Sequence, residues 1–196
     1  MGATALLIEC DDGAEVEAWR AELWQRRSDG AFQAVEIVAG ERTVLLDGVD
    51  PAIAALIGSW TPAASGARED ARLVRIPATF DGEDLPAVAE HWGISPHRAV
   101  QRLTGTELTV AFCGFAPGFA YLRGLDPAWA VPRLSAPRPR VPAGSVALAG
   151  GYAGIYPSAS PGGWRLVGRT SETLFDVRRQ PPALLTPGTR VRLVAT

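Results

Sequence analysis

The clearest group of chemically active side chains is a set of three arginines flanked by prolines. Arg133, Arg138 and Arg140 fall within eight residues, and prolines stand at positions 132, 137, 139 and 142. The planar guanidinium group binds a carboxylate or a phosphate through two parallel hydrogen bonds. A backbone stiffened by proline lowers the entropy that such a site loses on binding. The pattern predicts an anion site, and the alternative is three exposed arginines that serve solubility.

Two neighbouring segments could complete such a site. Gly144 and Ser145 follow the prolines directly, and their backbone amides and hydroxyl group could bind an anion. The segment 115–122 is an apolar and aromatic loop without a helical or strand period, and it includes Phe115, Pro117 and Gly118. Loops of this kind cover a core, line a pocket or contact a partner.

The sequence lacks the residues that several other catalytic mechanisms require. All 19 basic residues are arginine, which excludes a Schiff-base lysine and the lysine of a standard phosphate loop. The two histidines, His91 and His97, are predicted to be exposed on short helices. Cys10 and Cys113 are predicted to be buried, reduced thiols, because no second ligand stands at metal-binding spacing. We therefore expect no metal site.

The composition indicates a globular protein. Hydrophobic residues make up 47% of the 196 residues and charged residues 20%, with a formal net charge of -2. This charge gives no reason to expect nucleic-acid binding. The sequence shows neither a membrane-spanning run nor a signal peptide, so we expect a soluble, cytoplasmic protein.

Residues 1–66 are predicted to form a small α+β domain. A strand over residues 5–10 is followed by Asp12 and Glu15, which have the spacing of a capping box. Strands follow at residues 34–38 and 43–47, and Pro51 is expected to begin a second helix. Trp60 and one side of the first helix are expected to pack in the core. That side consists of Val16, Trp19, Leu23 and Trp24.

Residues 67–196 are predicted to form a mainly β barrel domain with short helices. A connector of small and polar residues at 61–70 precedes it. Asp84 and Ser95 are expected to cap two short helices. Short alternating runs separated by Gly and Pro turns indicate a closed or nearly closed barrel. The predicted strands are residues 71–80, 108–113, 145–150, 151–156, 164–169 and 190–195.

Three long stretches resemble one protein family. They are FCGFAPGFAYLRGLDP, VPRLSAPRPRVPAGSVALAG and GIYPSASPGGWRLVGRT. The chain is similar to the allophanate hydrolase subunit 1 family, which includes the B subunit of bacterial 5-oxoprolinase and the Kip-type (KipI-like) inhibitor of a sporulation sensor kinase. The resemblance implies a cyclophilin-like barrel after a small α+β domain.

The resemblance also implies a function. The chain would be one subunit, inactive alone, of an ATP-dependent hydrolase of a small amide such as 5-oxoproline. Its partner would be a C subunit or allophanate hydrolase subunit 2-like protein, with an A subunit as a further candidate partner, and the assembled complex would bind ATP. The implied catalytic residues are Arg138, Arg140, Ser145 and Tyr156. The implied substrate-binding residues are Phe115, Pro117, Gly118, Arg133, Gly144, Trp164 and Arg169.

The chain departs from the usual family pattern at three places. Leu103 stands where the family often has histidine, and Leu108 stands where tyrosine is common. Residues 152–154 replace a frequent Gln-Thr-Gly. Three other functions remain open: a Kip-type regulator that binds a histidine kinase, a carboxyltransferase component of a urea-carboxylase type, and, on fold analogy alone, a peptidyl-prolyl isomerase.

Overall fold

The chain divides into two units, Met1–Asp70 and Ala71–Thr196. The computed structural model describes residues 4–62 and 72–196. The predicted domain boundary between residues 66 and 67 lies outside these described residues. No helix within them is long and apolar enough to cross a membrane.

The first unit contains a three-stranded antiparallel sheet in the order β1-β3-β2 and two helices. Alternation along the strands buries Ile37, Val44 and Leu46 on one face of the sheet. The elements are β1 (Ala5–Glu9), α1 (Gly13–Ser28), β2 (Glu36–Ala39), β3 (Thr43–Asp47) and α2 (Ile53–Ile57).

The beginning of α1 confirms the predicted cap. The Asp12 side chain accepts hydrogen bonds from the backbone N–H groups of Ala14 at 2.8 Å and Glu15 at 2.9 Å. The Glu15 carboxylate in turn accepts from the backbone N–H of Asp11 at 2.7 Å. These bonds satisfy N–H groups that the first turn leaves unpaired.

Two predictions for the first unit are corrected. Trp24 is 43% exposed, not in the core, and the Arg27 guanidinium lies 5.1 Å from its ring centre. Helix α2 begins at Ile53 instead of Pro51, because residues 50–53 form a turn in which the N–H of Ile53 donates to the Asp50 carbonyl.

The second unit is a seven-stranded sheet in the order β11-β8-β9-β6-β5-β12-β4, with a separate two-stranded ribbon of β7 and β10. Its helices are α3 (Leu85–His91), α4 (Pro96–Gly105) and a 3-10 turn, Pro127–Trp129. The strands are β4 (Leu73–Ala78), β5 (Leu108–Cys113), β6 (Ala120–Arg123), β7 (Arg138–Val141), β8 (Ser145–Ala149), β9 (Tyr152–Ile155), β10 (Ser160–Gly162), β11 (Arg165–Arg169) and β12 (Arg190–Ala195).

The sheet closes into a barrel at a short seam. Thr79, after β4, and Arg169, at the end of β11, exchange backbone hydrogen bonds of 2.9 and 2.8 Å. A β-carbon on Gly168 would stand 2.5 Å from the Thr79 carbonyl oxygen, so the close approach requires glycine. The mainly β, barrel-like fold predicted for this half of the chain is confirmed.

Helices α3 and α4 pack their apolar sides against the barrel core. Ala99 and Leu103 of α4 are fully buried, together with Val88 and Ala89 of α3. The Ser95 hydroxyl accepts a hydrogen bond from the Arg98 backbone N–H at 3.3 Å, which confirms the predicted cap of α4. Asp84 does not cap α3 through its side chain, because its carboxylate binds Arg138 and the backbone of β11 instead.

Candidate active-site face

Seven aromatic rings contact one another in the barrel unit, and we name them the aromatic cluster. Several of them pack against Val141 of β7, Ala147 and Ala149 of β8 and Leu166 of β11. Phe119 is at its centre, with ring centroids 5.1 Å from Tyr121, 5.3 Å from Tyr156 and 5.4 Å from Trp164. The steep angles between these rings are those that aromatic quadrupoles favour. The members of the cluster are Phe112, Phe115, Phe119, Tyr121, Tyr152, Tyr156 and Trp164.

Tyr156 is a buried hydroxyl within this cluster. Its burial raises its pKa above the ordinary value, although a hydrogen bond to the Trp164 backbone and the charge of Arg133 act in the opposite direction. The phenol therefore stays protonated at neutral pH and can serve as a hydrogen-bond donor, not as a nucleophilic phenolate. Gly162 leaves room for it, because a β-carbon there would collide with the Tyr156 hydroxyl.

Phe115 is the exposed edge of the aromatic cluster. Its side chain is 62% exposed and its ring meets the edges of Phe119 and Tyr156. Its φ is +69°, in the left-handed region that bulky residues rarely adopt. Strain of this kind costs about 1–3 kcal/mol and is characteristic of functional sites. The predicted loop over residues 115–122 ends earlier, because Ala120–Arg123 form β6 and pair with β5. In the remaining loop Pro117 is exposed, and Gly118 is buried against the Phe175 side chain.

Arg138 is paired with two carboxylates. Its Nη2 lies 2.8 Å from Asp84 Oδ2, its Nε lies 2.6 Å from Glu83 Oε1, and its Nη1 donates to the Trp164 carbonyl at 3.3 Å. Burial acts to lower the pKa of Arg138, but the two carboxylates raise it above its ordinary value. Its charge is thus balanced within the chain, and it holds β7, β11 and the start of α3 together.

The other three arginines of the predicted site have different surroundings. Arg140 and Arg133 are exposed, and within residues 4–62 and 72–196 neither forms an ion pair with a carboxylate. The Arg133 guanidinium lies 6.0 Å from the ring centre of Trp164. Arg169 is paired with Asp81, at 2.7 Å between Nη2 and Oδ2. Arg133 and Arg140 are therefore the two members that could bind an anion without breaking an existing pair.

The backbone amides at Gly144 and Ser145 are already engaged. The Gly144 N–H donates to the Tyr156 carbonyl at 2.7 Å, and the Ser145 N–H donates to the Pro142 carbonyl at 3.4 Å. Ser145 is itself buried. The glycine has a φ of +80° and packs directly on the Thr170 carbonyl. These residues thus lie where the chain turns from β7 into β8, and their predicted roles in anion binding and catalysis stay predictions.

The family-typical histidine and tyrosine positions lie in the core. Leu103 and Leu108 are fully buried and belong to the main core cluster of the barrel. Each leucine fills apolar space, so no polar group enters the core from α4 or β5 at these two positions. His91 and His97 are exposed as predicted, and the Nε2 of His91 donates to the Ala130 carbonyl at 3.0 Å.

The thiols are not arranged for chemistry. Cys10 is buried as predicted, whereas Cys113, predicted to be buried, is only half-buried because it is the last residue of β5; both are free. Burial raises the pKa of each, so both stay protonated at neutral pH. In the part of the chain that the structure describes, no group of three or more His, Cys, Asp or Glu residues could hold a metal ion.

One cavity of substrate size was not predicted from the sequence. It has a volume of about 460 Å³ and lies beside α4, lined by Ile94, Arg98, Gln101, Arg102 and Trp129. The spacing of Arg98, Gln101 and Arg102 places all three on one side of a helix, and this was the one signal in the sequence. A second cavity of about 40 Å³, beside His91 and Arg165, is too small for a substrate. None of the predicted site residues lines either cavity.

Comparison with known proteins identifies relatives over the whole chain. Residues 1–185 match the sequence model of the carboxyltransferase domain, subdomain C and D. The B subunit of 5-oxoprolinase from Escherichia coli O157:H7 is 36% identical over 99% of this chain and 93% of that protein. The B subunit of 5-oxoprolinase from Bacillus subtilis (strain 168) is 44% identical over 63% of this chain, an alignment that spans 52% of that protein.

Solved structures give the same relationship. The crystal structure of TTHA0988 superposes with a TM-score of 0.79 and 32% sequence identity over 98% of this chain. The matched region is 39% of the TTHA0988 chain. The chain thus spans nearly all of one curated relative, about half of another, and about two fifths of a longer polypeptide.

Proposed function

The chain belongs to the family of the carboxyltransferase domain, subdomain C and D, and on that premise we propose that it is the B subunit of a 5-oxoprolinase-type complex. The observation that carries the proposal is the 36% identity with the Escherichia coli protein across almost the full length of both chains. The reaction proposed is the ATP-dependent opening of a small cyclic amide such as 5-oxoproline to its amino acid.

The chemistry of this substrate class suits an arginine-bearing face. A cyclic amide is a poor electrophile, and ATP would supply its activation by phosphorylation of the carbonyl oxygen. The substrate also carries a carboxylate, for which an unpaired guanidinium group is a suitable partner. Arg133 and Arg140 are assigned this binding role, and Phe115 and Trp164 would line the apolar side of the site.

The charge balance of Arg138 gives it a different role. Because its guanidinium already bridges Asp84 and Glu83, we assign it to positioning of the β7 ribbon that carries Arg140. Tyr156, held protonated by burial, would donate a hydrogen bond to the charge that develops on the amide oxygen. ATP is assigned to the assembled complex, and this chain could not bind it through a standard phosphate loop, because it contains no lysine.

Partner proteins are part of the proposal. We assign the C and A subunits of such a complex as partners, and we expect the chain alone to have no turnover. The test is to purify the chain together with these two proteins and to measure consumption of 5-oxoproline and ATP by the mixture. Loss of turnover on omission of the chain would support the proposal, and unchanged turnover would contradict it.

The site assignment has its own test within that assay. Arg133→Ala and Arg140→Ala are each expected to raise the KM for 5-oxoproline at least tenfold, since each removes a charged hydrogen bond worth roughly 1.5–3 kcal/mol. Arg75→Ala is the control, because Arg75 is exposed on β4. Equal KM values for all three variants would remove Arg133 and Arg140 from the site.

A regulatory role is the second candidate, and the exposure of Phe115 favours it. An exposed aromatic ring on a strained turn is a common contact residue in protein interfaces. In that case the chain would bind a sensor histidine kinase, and Phe115→Ala would abolish the binding. The matched family model is that of a carboxyltransferase domain, and transfer of the carboxyl group from an added carboxybiotin carrier protein to urea, which releases the biotin form of the carrier, would identify that third activity.

A further inference from the structure

The cavity beside α4 contains two guanidinium groups and an indole. Arg98 and Arg102 stand one helical turn apart, so both side chains project from one side of α4. Trp129 comes from the 3-10 turn that follows β6, and Asp126 fixes this turn by accepting from the Ala128 backbone N–H at 2.9 Å. The cavity has about 460 Å³, within the range of small-molecule sites.

Arg102 is held in place by aromatic contacts. Its guanidinium carbon lies 4.1 Å from the ring centre of Trp129 and 5.4 Å from that of Trp92. The two indoles are joined by a hydrogen bond from Trp92 Nε1 to the Trp129 carbonyl at 2.9 Å. A guanidinium group above an indole is attracted by the face of the ring, and its five N–H donors lie in its own plane, from which they can reach an acceptor.

Neither arginine of this cavity has a balancing carboxylate in the described part of the chain. Arg98 donates to the Gln101 side chain at 3.4 Å, a long hydrogen bond to a neutral group. Across residues 4–62 and 72–196, no carboxylate forms an ion pair with Arg98 or Arg102. Arg98 also lies in the first turn of α4, where the helix dipole disfavours a cation. Its position is therefore not explained by stabilisation of the helix.

We propose that this cavity is a binding site for a phosphate-bearing small molecule. Two guanidinium groups match the two negative charges and the several acceptor oxygens of a phosphate or diphosphate group. Gln101 would donate through its amide, and the edges of Trp129 and Ile94 would contact an apolar part of the ligand. The volume exceeds what one inorganic phosphate needs, which favours a ligand of nucleotide size.

The test is isothermal titration calorimetry of the full chain, at low salt, with pyrophosphate, ATP, inorganic phosphate and adenosine. We expect saturable one-to-one binding of pyrophosphate or ATP. Tighter binding of ATP than of pyrophosphate would identify a nucleotide site, and the reverse order would identify a site for free phosphates. Binding of adenosine without binding of any phosphate compound would overturn the proposal, because the guanidinium groups would then have no role.

The variants separate this site from general attraction of anions. Arg98→Ala and Arg102→Ala, alone and combined, are expected to weaken binding at least tenfold. Arg27→Ala is the matched control, because it removes an arginine from a similar arginine–tryptophan pair on α1. Retained binding in the double variant, or no binding by the natural chain at millimolar ligand, would refute the site. Arg98 is exposed, so its single variant keeps the test valid if the Arg102 variant fails to fold.

This experiment uses no partner protein and no turnover assay. Its failure would leave the proposed 5-oxoprolinase function as it stands. The failure of that function would likewise leave the ligand site on α4 unchanged.

Discussion

The replacement of Arg138 by alanine separates a structural role from a ligand-binding one. The substitution deletes the ion pairs with Asp84 and Glu83 and the hydrogen bond to the Trp164 carbonyl. The Asp84 side chain is only 10% exposed, so its charge would remain in a largely desolvated position. It would keep the hydrogen bond from the Leu166 N–H at 2.7 Å.

The expected loss of stability follows from these contacts. Breaking a buried ion pair by removing one partner costs about 3–5 kcal/mol. Arg165, whose Nη1 lies 3.8 Å from Asp84, can partly replace the lost partner, and Glu83 is 63% exposed and adds little. We therefore expect Arg138→Ala to lower the free energy of unfolding of the barrel unit by about 3 kcal/mol.

Hydrogen exchange followed by mass spectrometry can measure this change for each unit separately. Peptides from β8 and β11 report on the barrel unit, and peptides from β3 serve as an internal reference. Arg140→Ala is the control on the same strand, because Arg140 is exposed, and it should change the free energy by about 0.5 kcal/mol or less.

A double-mutant cycle with Asp84→Ala completes the test. Once the Asp84 carboxylate is removed, no buried charge is left without the guanidinium, so the double variant should lose less than the sum of the two single variants. The expected difference is about 1–3 kcal/mol. A loss below about 1 kcal/mol in Arg138→Ala, or strict additivity in the cycle, would show that the pair does not hold the ribbon in place.

Three further predictions concern stability and thiol reactivity. Hydrogen bonds from Arg190 lower the pKa of the Glu107 carboxyl below its ordinary value. This pair therefore stabilises the fold above the pKa of the unfolded state, and the stabilisation disappears as the pH falls through the pKa of the folded state. In thermal melts from about pH 3 to 7, the melting temperature of Glu107→Gln should fall less on the acid side than that of the natural chain. Gly144→Ala places a β-carbon against the Thr170 carbonyl at a φ of +80°. Urea unfolding should show that the free energy of unfolding falls by about 1–3 kcal/mol. An unchanged free energy would mean that the backbone can relax around the new side chain. Burial raises the pKa of the Cys113 thiol. In a variant that lacks Cys10, Cys113 should therefore react with a disulfide reagent at about pH 8 much more slowly in the folded chain than in urea. Equal rates in the two states would contradict this prediction.

Local signals in the sequence were sufficient for most elements. The Asp12 cap and the Ser95 cap depend on residues within one turn of the helix, and the sequence shows both partners. Strands β4, β5 and β12 alternate over at least four residues between buried and more exposed positions, which is the period of a half-buried strand. These elements were predicted within a few residues of their observed bounds.

Features that depend on distant partners could not be predicted in this way. The Asp84 carboxylate has the position of a helix cap, yet its partners are 54 and 82 residues further along the chain. Strands β7 and β10 are short and carry prolines, which is a pattern typical of loops and of edge strands. The α4 cavity needs Trp129 from a separate turn, so the arginine spacing on α4 alone did not indicate a site.

Strand β12 has a consequence for biosynthesis. It lies between β5 and β4, and all six of its residues pair in parallel with residues 73–78. More than a hundred residues separate these partners, so the ribosome must release residue 195 before the sheet can be completed. Until then β4 and β5 each lack the strand that pairs with them at this edge. Fragments that stop before residue 190 are therefore expected to aggregate or to be degraded, and expression trials should retain this strand.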